Sequence, residues 1–218
     1  MEEVDYRKGR LGCLIMEGAG GKAFCAGGDV VKVREESMNG GTLPQDFFYE
    51  EYAVVFRLAT LYERTGCCQV SLWDGVTMGG GVGLSAHGPF RVVTEKTVFA
   101  KPEMAIGLFP DVGSTHKLSR LKAGVNVGLF IGMTGKQLKA WDCLRAGIAT
   151  HFVPAANLPK LRQKLLGSFP GGTGAAARAT IEAALQDASG GALPDHAGAV
   201  LTDENLAVID RCFGAPSL

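Results

Sequence analysis

The sequence predicts an α/β fold, with parallel strands in its first half and mostly helices in its second. Short apolar runs close on glycine clusters, the pattern of a buried strand handing over to a loop. An amphipathic segment lies between two such runs and makes a strand-helix-strand unit, which implies parallel strands. Beyond residue 112 the apolar residues recur at helical spacing instead of alternating.

Taken in order, Leu11-Gly12-Cys13-Leu14-Ile15-Met16 reads as a buried strand closed by Gly18-Ala19-Gly20-Gly21. Residues 47–63 carry apolar side chains at 47, 48, 52, 55, 58, 61 and 62, close to a helical period. Val70-Ser71-Leu72-Trp73-Asp74-Gly75-Val76 and Phe90-Arg91-Val92-Val93-Thr94 read as the next strands. Helical patterns follow at about 112–131, 136–146, 157–168, 174–188 and 203–213. The stretch Thr173-Gly174-Ala175-Ala176-Ala177-Arg178 is a linker running into a helix, because helix formers surround it.

A chain of 218 residues, 46% of them hydrophobic, supports one sizeable core and excludes two full catalytic domains. Lys+Arg and Asp+Glu both number 22, so there is no basic field to hold nucleic acid or an anionic membrane surface. No apolar run approaches the roughly 20 residues that span a bilayer, so a soluble protein is expected. The acidic start Met1-Glu2-Glu3-Val4-Asp5 shows neither a signal-peptide core nor a transit-peptide composition. Cys13, Cys25, Cys67, Cys68, Cys143 and Cys212 form no CxxC pair and read as reduced thiols. His87, His116, His151 and His196 show no metal-ligand spacing, so no metal is expected.

Two familiar motifs nearly fit. Gly18-Ala19-Gly20-Gly21-Lys22-Ala23 matches a dinucleotide fingerprint literally, but Phe24-Cys25-Ala26-Gly27-Gly28 after it is poor helix material. Gly83-Leu84-Ser85-Ala86-His87 resembles a nucleophile elbow whose last glycine is replaced by a histidine that crowds the turn. Ser85 is therefore read as a structural residue.

The chemistry lies in two other glycine loops. Lys22-Ala23-Phe24-Cys25-Ala26-Gly27-Gly28-Asp29-Val30 and Asp74-Gly75-Val76-Thr77-Met78-Gly79-Gly80-Gly81-Val82-Gly83-Leu84 both put consecutive glycines where a strand gives way to a turn. Each loop alone is no more than a tight turn. Two such loops that each aim one backbone N–H at a developing negative charge make an oxyanion hole, which suits thioester or enolate chemistry.

In this order, and with Phe99-Ala100-Lys101-Pro102-Glu103 behind them, these loops resemble the signature regions of the enoyl-CoA hydratase/isomerase (crotonase) superfamily. The resemblance runs over residues 11–153. It implies a crotonase-like ββα spiral core over residues 1–153 and a partial helical C-terminal region over 154–218. It also implies an acyl-CoA substrate, no separate cofactor because coenzyme A is part of that substrate, and a mitochondrial location. Homo-oligomerisation stays open. The Gly28 and Gly80 amides would form the oxyanion hole.

Hydratases of this superfamily carry one glutamate three residues after the oxyanion glycine and another in the Pro-Glu segment. Here the first position is Gly83 and the second is Glu103. Hydration uses both carboxylates around one water, so the chain departs from a hydratase. Met78-Gly79-Gly80-Gly81-Val82-Gly83-Leu84-Ser85, Pro102-Glu103 and Gly107-Leu108-Phe109-Pro110-Asp111-Val112-Gly113 occur together in the 3-hydroxyisobutyryl-CoA hydrolases, a subfamily that Arg145-Ala146-Gly147-Ile148-Ala149-Thr150-His151-Phe152-Val153 also resembles. That resemblance implies hydrolysis of a short branched 3-hydroxyacyl-CoA, a step of valine breakdown. Glu103 would attack the thioester carbonyl or activate water, while Asp111 and Glu51 would hold the 3-hydroxyl. A hydratase or isomerase, and a non-catalytic acyl-CoA-binding protein, stand as alternatives. Family members begin with a strand and helix before Leu11 and continue past Leu218, so the chain reads as shortened at both ends.

Overall fold

A computed structural model describes residues 11–167 and 172–216. The reading of residues 1–5 and the last position of the predicted 157–168 helix lie outside the described residues.

Among the described residues, eight strands divide between two sheets. β1 (Cys13–Glu17), β3 (Cys68–Trp73), β5 (Phe90–Val93) and β8 (His151–Phe152) form one, all parallel, in the order β1-β3-β5-β8. β2 (Ala23–Cys25), β4 (Val76–Met78), β6 (Val98–Ala100) and β7 (Leu138–Lys139) form the other, with only β7 antiparallel to its neighbour. The chain visits the sheets alternately: β1 then β2, β3 then β4, β5 then β6. Helices α1 (Val30–Met38), α2 (Leu43–Ala59) and α3 (Leu61–Thr65) follow the first pair, and α4 (Gly80–Ser85) follows the second. This is the expected ββα spiral, and every turn of it ends in a strand-to-helix loop on the second sheet.

β3 is the pivot, with all six residues buried. Cys68, Val70 and Leu72 face a cluster completed by Leu161 of α8 (Leu158–Gly167) and by Ile181 and Leu185 of α9 (Ala175–Ser189). The alternate residues face α4, as the period of a strand requires. Gln69 Nε2 donates to the Leu84 carbonyl at 2.8 Å, and Trp73 Nε1 donates to Ser85 Oγ at 2.9 Å. Trp73 also joins a second apolar cluster with Phe24, Phe99, Ile131 of α6 (Val125–Thr134), Cys143 of α7 (Ala140–Ala146) and Ile209 of α10 (Asp203–Phe213). Polar anchoring of α4 on β3 fixes the direction of the helix whose first residue is Gly80.

Several expected elements are corrected. The run 70–76 is two strands in different sheets, because the Asp74-Gly75 turn, with Gly75 at φ 101°, swings the chain across. The 47–63 helix starts earlier, at Leu43 with Pro44 in its first turn, and is interrupted at Thr60. The 112–131 pattern splits into α5 (Ser114–Leu118) and α6, separated by a loop that ends at Gly124 with φ 99°. The 136–146 pattern begins with the short strand β7. All six cysteines are free thiols.

Candidate active site

The β2–α1 loop and the β4–α4 loop lie against each other. A methyl group on Gly27 would meet the Gly80 nitrogen at 3.3 Å, so only glycine permits this approach. Gly79 turns the chain into α4 with φ 55° and ψ −130°. Outside the regular helices and strands, neither the Gly28 nor the Gly80 N–H donates to another backbone group. Both donors are left for a ligand.

Three carboxylates come to the same place from three elements. Glu51, on α2, rests its Oε1 against Gly80, where any side chain at 80 would collide with it. Glu103 opens a 3₁₀ turn (Glu103–Ile106) directly after β6 and is 5% exposed. Asp111, 8% exposed, stands in the loop before α5 and accepts a hydrogen bond from Tyr52 Oη at 3.1 Å. All five predicted residues, Gly28, Gly80, Glu51, Glu103 and Asp111, line one cavity of about 290 Å³ whose other walls include Val33, Phe47, Phe48, Ile106 and Leu108. A larger cavity of about 750 Å³, lined by Tyr52 among others, shares Asp111 with it but contains none of the other four. Only the smaller one gathers all five residues.

The glutamates differ in their surroundings. Both oxygens of Glu103 are buried; Oε1 is ion-paired with Lys101 Nζ at 2.6 Å, and Oε2 has no hydrogen-bond partner. Burial pushes the Glu51 carboxyl above its ordinary range, the charges of Asp111 and Glu103 add to that, and Lys101 opposes it. The Tyr52 hydroxyl is pushed up to about 12, first by burial and then by the Asp111 charge and hydrogen bond, so it stays a donor to Asp111.

Sequence reasoning missed two participants. Lys101 is fully buried, with Nζ 2.6 Å from Glu103 Oε1 and 3.9 Å from Asp111 Oδ1. The signal was present as one cation at the end of an apolar strand, immediately before Pro102-Glu103. Val112, with φ 49°, is the one non-glycine residue at positive φ among the described residues. Its side chain fills the space that a side chain at position 83 would need.

The near-fitting motifs resolve as structure. Ser85 is fully buried within α4, accepting from Trp73 and donating to the Gly81 carbonyl at 2.6 Å. The glycine run 18–23 leads into strand β2 and not into a helix. Among the described residues no group of three or more His, Cys, Asp or Glu could hold a metal ion, and no helix is long and apolar enough to cross a membrane.

With this geometry in place, the comparisons with known proteins fall on one family. Residues 6–218 match the family described as enoyl-CoA hydratase/isomerase. Among curated relatives, the mitochondrial 3-hydroxyisobutyryl-CoA hydrolase of Rattus norvegicus is 43% identical over 212 residues, covering 93% of this chain and 50% of its own length. The Gallus gallus protein of the same name is 51% identical over 156 residues, covering 70% of this chain and 38% of its own length. The chain thus spans half or less of these relatives. Among solved structures, a carnitinyl-CoA dehydratase from Mycobacterium thermoresistibile superposes with a TM-score of 0.78 at 32% identity, covering 94% of this chain and 54% of the other. An enoyl-CoA hydratase from Rhodobacter sphaeroides does so with a TM-score of 0.71 at 35% identity, covering 93% and 53%.

Proposed function

The chain belongs to the enoyl-CoA hydratase/isomerase family, and from that membership we propose that it hydrolyses the thioester of a short branched 3-hydroxyacyl-CoA, 3-hydroxyisobutyryl-CoA above all, to the free acid and CoA. One observation carries the proposal: a buried Glu103 carboxylate, ion-paired to Lys101 through Oε1 and with Oε2 unpartnered, lines the same cavity as Gly28 and Gly80, whose N–H groups are uncommitted. A buried carboxylate oxygen without a protein donor is ready to meet an electrophile or a water molecule.

The steps follow from the geometry. The thioester carbonyl oxygen is received by the Gly28 and Gly80 amides. Glu103 attacks the carbonyl carbon, or takes a proton from a water that does so. In either case negative charge grows on the carbonyl oxygen, and each amide stabilises it by an amount of order 3 kcal/mol. Collapse breaks the carbon–sulfur bond and releases CoA as its thiolate; where Glu103 has attacked, water then cleaves the resulting mixed anhydride and frees Glu103. In either route water supplies the second oxygen of the acid, and its proton passes through Glu103 to the thiolate. Asp111 and Glu51, which line the same cavity, hold the 3-hydroxyl. Coenzyme A enters as part of the substrate, so the mechanism calls on no further cofactor. The mitochondrial location of the relatives carries over with the same reading.

Hydration is disfavoured at position 83, where Val112 fills the space that a second glutamate would occupy. The small cavity, about 290 Å³, suits a short acyl group. Purified protein given 3-hydroxyisobutyryl-CoA should release free thiol. Isobutyryl-CoA, lacking the hydroxyl that Asp111 and Glu51 would bind, should be hydrolysed roughly 10²- to 10⁴-fold less efficiently, since it leaves buried polar groups unpaired. Equal kcat/KM for the two substrates would remove Asp111 and Glu51 from their proposed role.

A further inference from the structure

We propose that Lys101 is a positioning residue for this reaction, whose ammonium keeps the Glu103 carboxylate charged and aimed into the cavity. The inference rests on the proposed role of Glu103.

Lys101 is fully buried at the end of β6, behind the wall of the cavity and not among its lining residues. A buried ammonium is unfavourable unless it is paired, and the residues around Lys101 supply the pairing. Nζ donates a hydrogen bond to the Gly79 carbonyl at 3.2 Å. It also lies 2.6 Å from Glu103 Oε1, a buried ion pair that leaves only Oε2 of Glu103 without a partner. A second carboxylate, Asp111, is 3.9 Å away. The Gly79 bond matters because Gly79 precedes Gly80, so one side chain ties the oxyanion loop to the carboxylate that works beside it.

The charges explain why the site needs such a group. Glu51 and Tyr52 from α2, and Asp111 from the loop before α5, are the other titratable groups around Glu103. Three carboxylates around one small cavity repel one another, and a proton would settle on one of them. Lys101 stands next to Glu103 and Asp111, and burial together with those two charges pushes Glu51 upward. Lys101 touches Glu103 directly, so its charge favours the anionic form of the carboxylate that attacks or accepts a proton in the proposed reaction.

The test compares the pH dependence of CoA release from 3-hydroxyisobutyryl-CoA for the unmutated protein, Lys101→Met, Lys101→Gln and Lys101→Arg. Loss of the adjacent positive charge makes Glu103 harder to ionise, so the acidic limb of kcat should move to higher pH by about 1 unit or more in both neutral variants. Their kcat should fall by up to about tenfold on the acid side of the limb and recover as pH rises, with KM unchanged because Lys101 does not line the cavity. Lys101→Arg should keep the original limb. Neutral variants that fold and retain that limb overturn the inference. Carboxyl-carbon NMR of the unmutated protein, assigned with Glu51→Gln and Glu103→Gln, covers the case in which the neutral variants do not fold: Glu103 must lose its proton at lower pH than Glu51, and the reverse order overturns the inference. Glu103→Gln assayed alongside separates the two readings. If it remains active, the catalytic role of Glu103 fails; if it is inactive while the Lys101 variants keep the original limb, only the role of Lys101 fails.

Discussion

Glu103→Gln is expected to lower kcat for CoA release by about 10³-fold with little change in KM, because the amide keeps the shape of the carboxylate and loses its nucleophilicity and basicity. The same substitution should weaken the fold. Lys101 would face a neutral amide 2.6 Å away and keep only Asp111, at 3.9 Å, as a charged neighbour. Removing one partner of a buried ion pair costs about 3–5 kcal/mol, an upper figure here because Asp111 remains. Adding Lys101→Met to Glu103→Gln removes the stranded charge, so the double variant should unfold at higher denaturant than Glu103→Gln alone and stay inactive. Kinetics with purified variants and urea unfolding monitored through Trp73 and Trp141 check the two halves separately. Retained hydrolysis in Glu103→Gln would remove Glu103 from the chemistry, whatever the stability.

Gly83→Glu should not turn the protein into a hydratase, although it restores the glutamate that hydratases carry at that position. Gly83 is buried in α4, and a side chain there would come within 2.6 Å of Val112 Cγ2. Overpacking of this kind costs roughly 1–3 kcal/mol, and an unpaired buried carboxylate adds to it. Val112 has little freedom to retreat. It is a β-branched residue at φ 49°, in a conformation that disfavours such side chains, and it follows Asp111 directly. Displacing it moves Asp111, so hydrolysis should fall at least about 10²-fold, as for other misplaced site groups. Val112→Gly removes both the obstruction and the backbone strain, and Gly83→Glu combined with Val112→Gly should recover most of the lost stability. A stable, unrelieved Gly83→Glu variant that hydrates crotonyl-CoA would show that Val112 does not govern this position.

How much of this was legible beforehand depended on how local each signal is. β3 announced itself as an apolar run long enough to be a buried strand, and α10 matches the predicted 203–213 at both ends because its caps and period agree. β2, β4, β6, β7 and β8 have two or three residues each, too few to show an alternating pattern. α1 was missed because its residues have no buried face, although Asp29, whose side chain accepts from the Lys32 N–H, was a readable cap. The glycine loops were legible since close backbone approach leaves a mark in composition. Gly28, Gly80, Glu51, Glu103 and Asp111 came from family resemblance, and the fold brings all five to one cavity. Lys101 and Val112 escaped because their significance lies in contacts across the fold: an ammonium is ordinary until burial pairs it with Glu103, and a valine is ordinary until it fills the space beside Gly83.

Thioester hydrolysis and double-bond hydration can be measured on the same preparation, one by thiol release from 3-hydroxyisobutyryl-CoA and the other by loss of the conjugated absorbance of crotonyl-CoA. With Glu103 in the same cavity as Gly28 and Gly80, and Val112 where a second glutamate would stand, hydrolysis should exceed hydration in kcat/KM by at least about 10²-fold, the scale of one missing acid–base group. Hydration that equals or exceeds hydrolysis, or tight acyl-CoA binding with no turnover of either substrate, would contradict the assignment of this site to thioester hydrolysis.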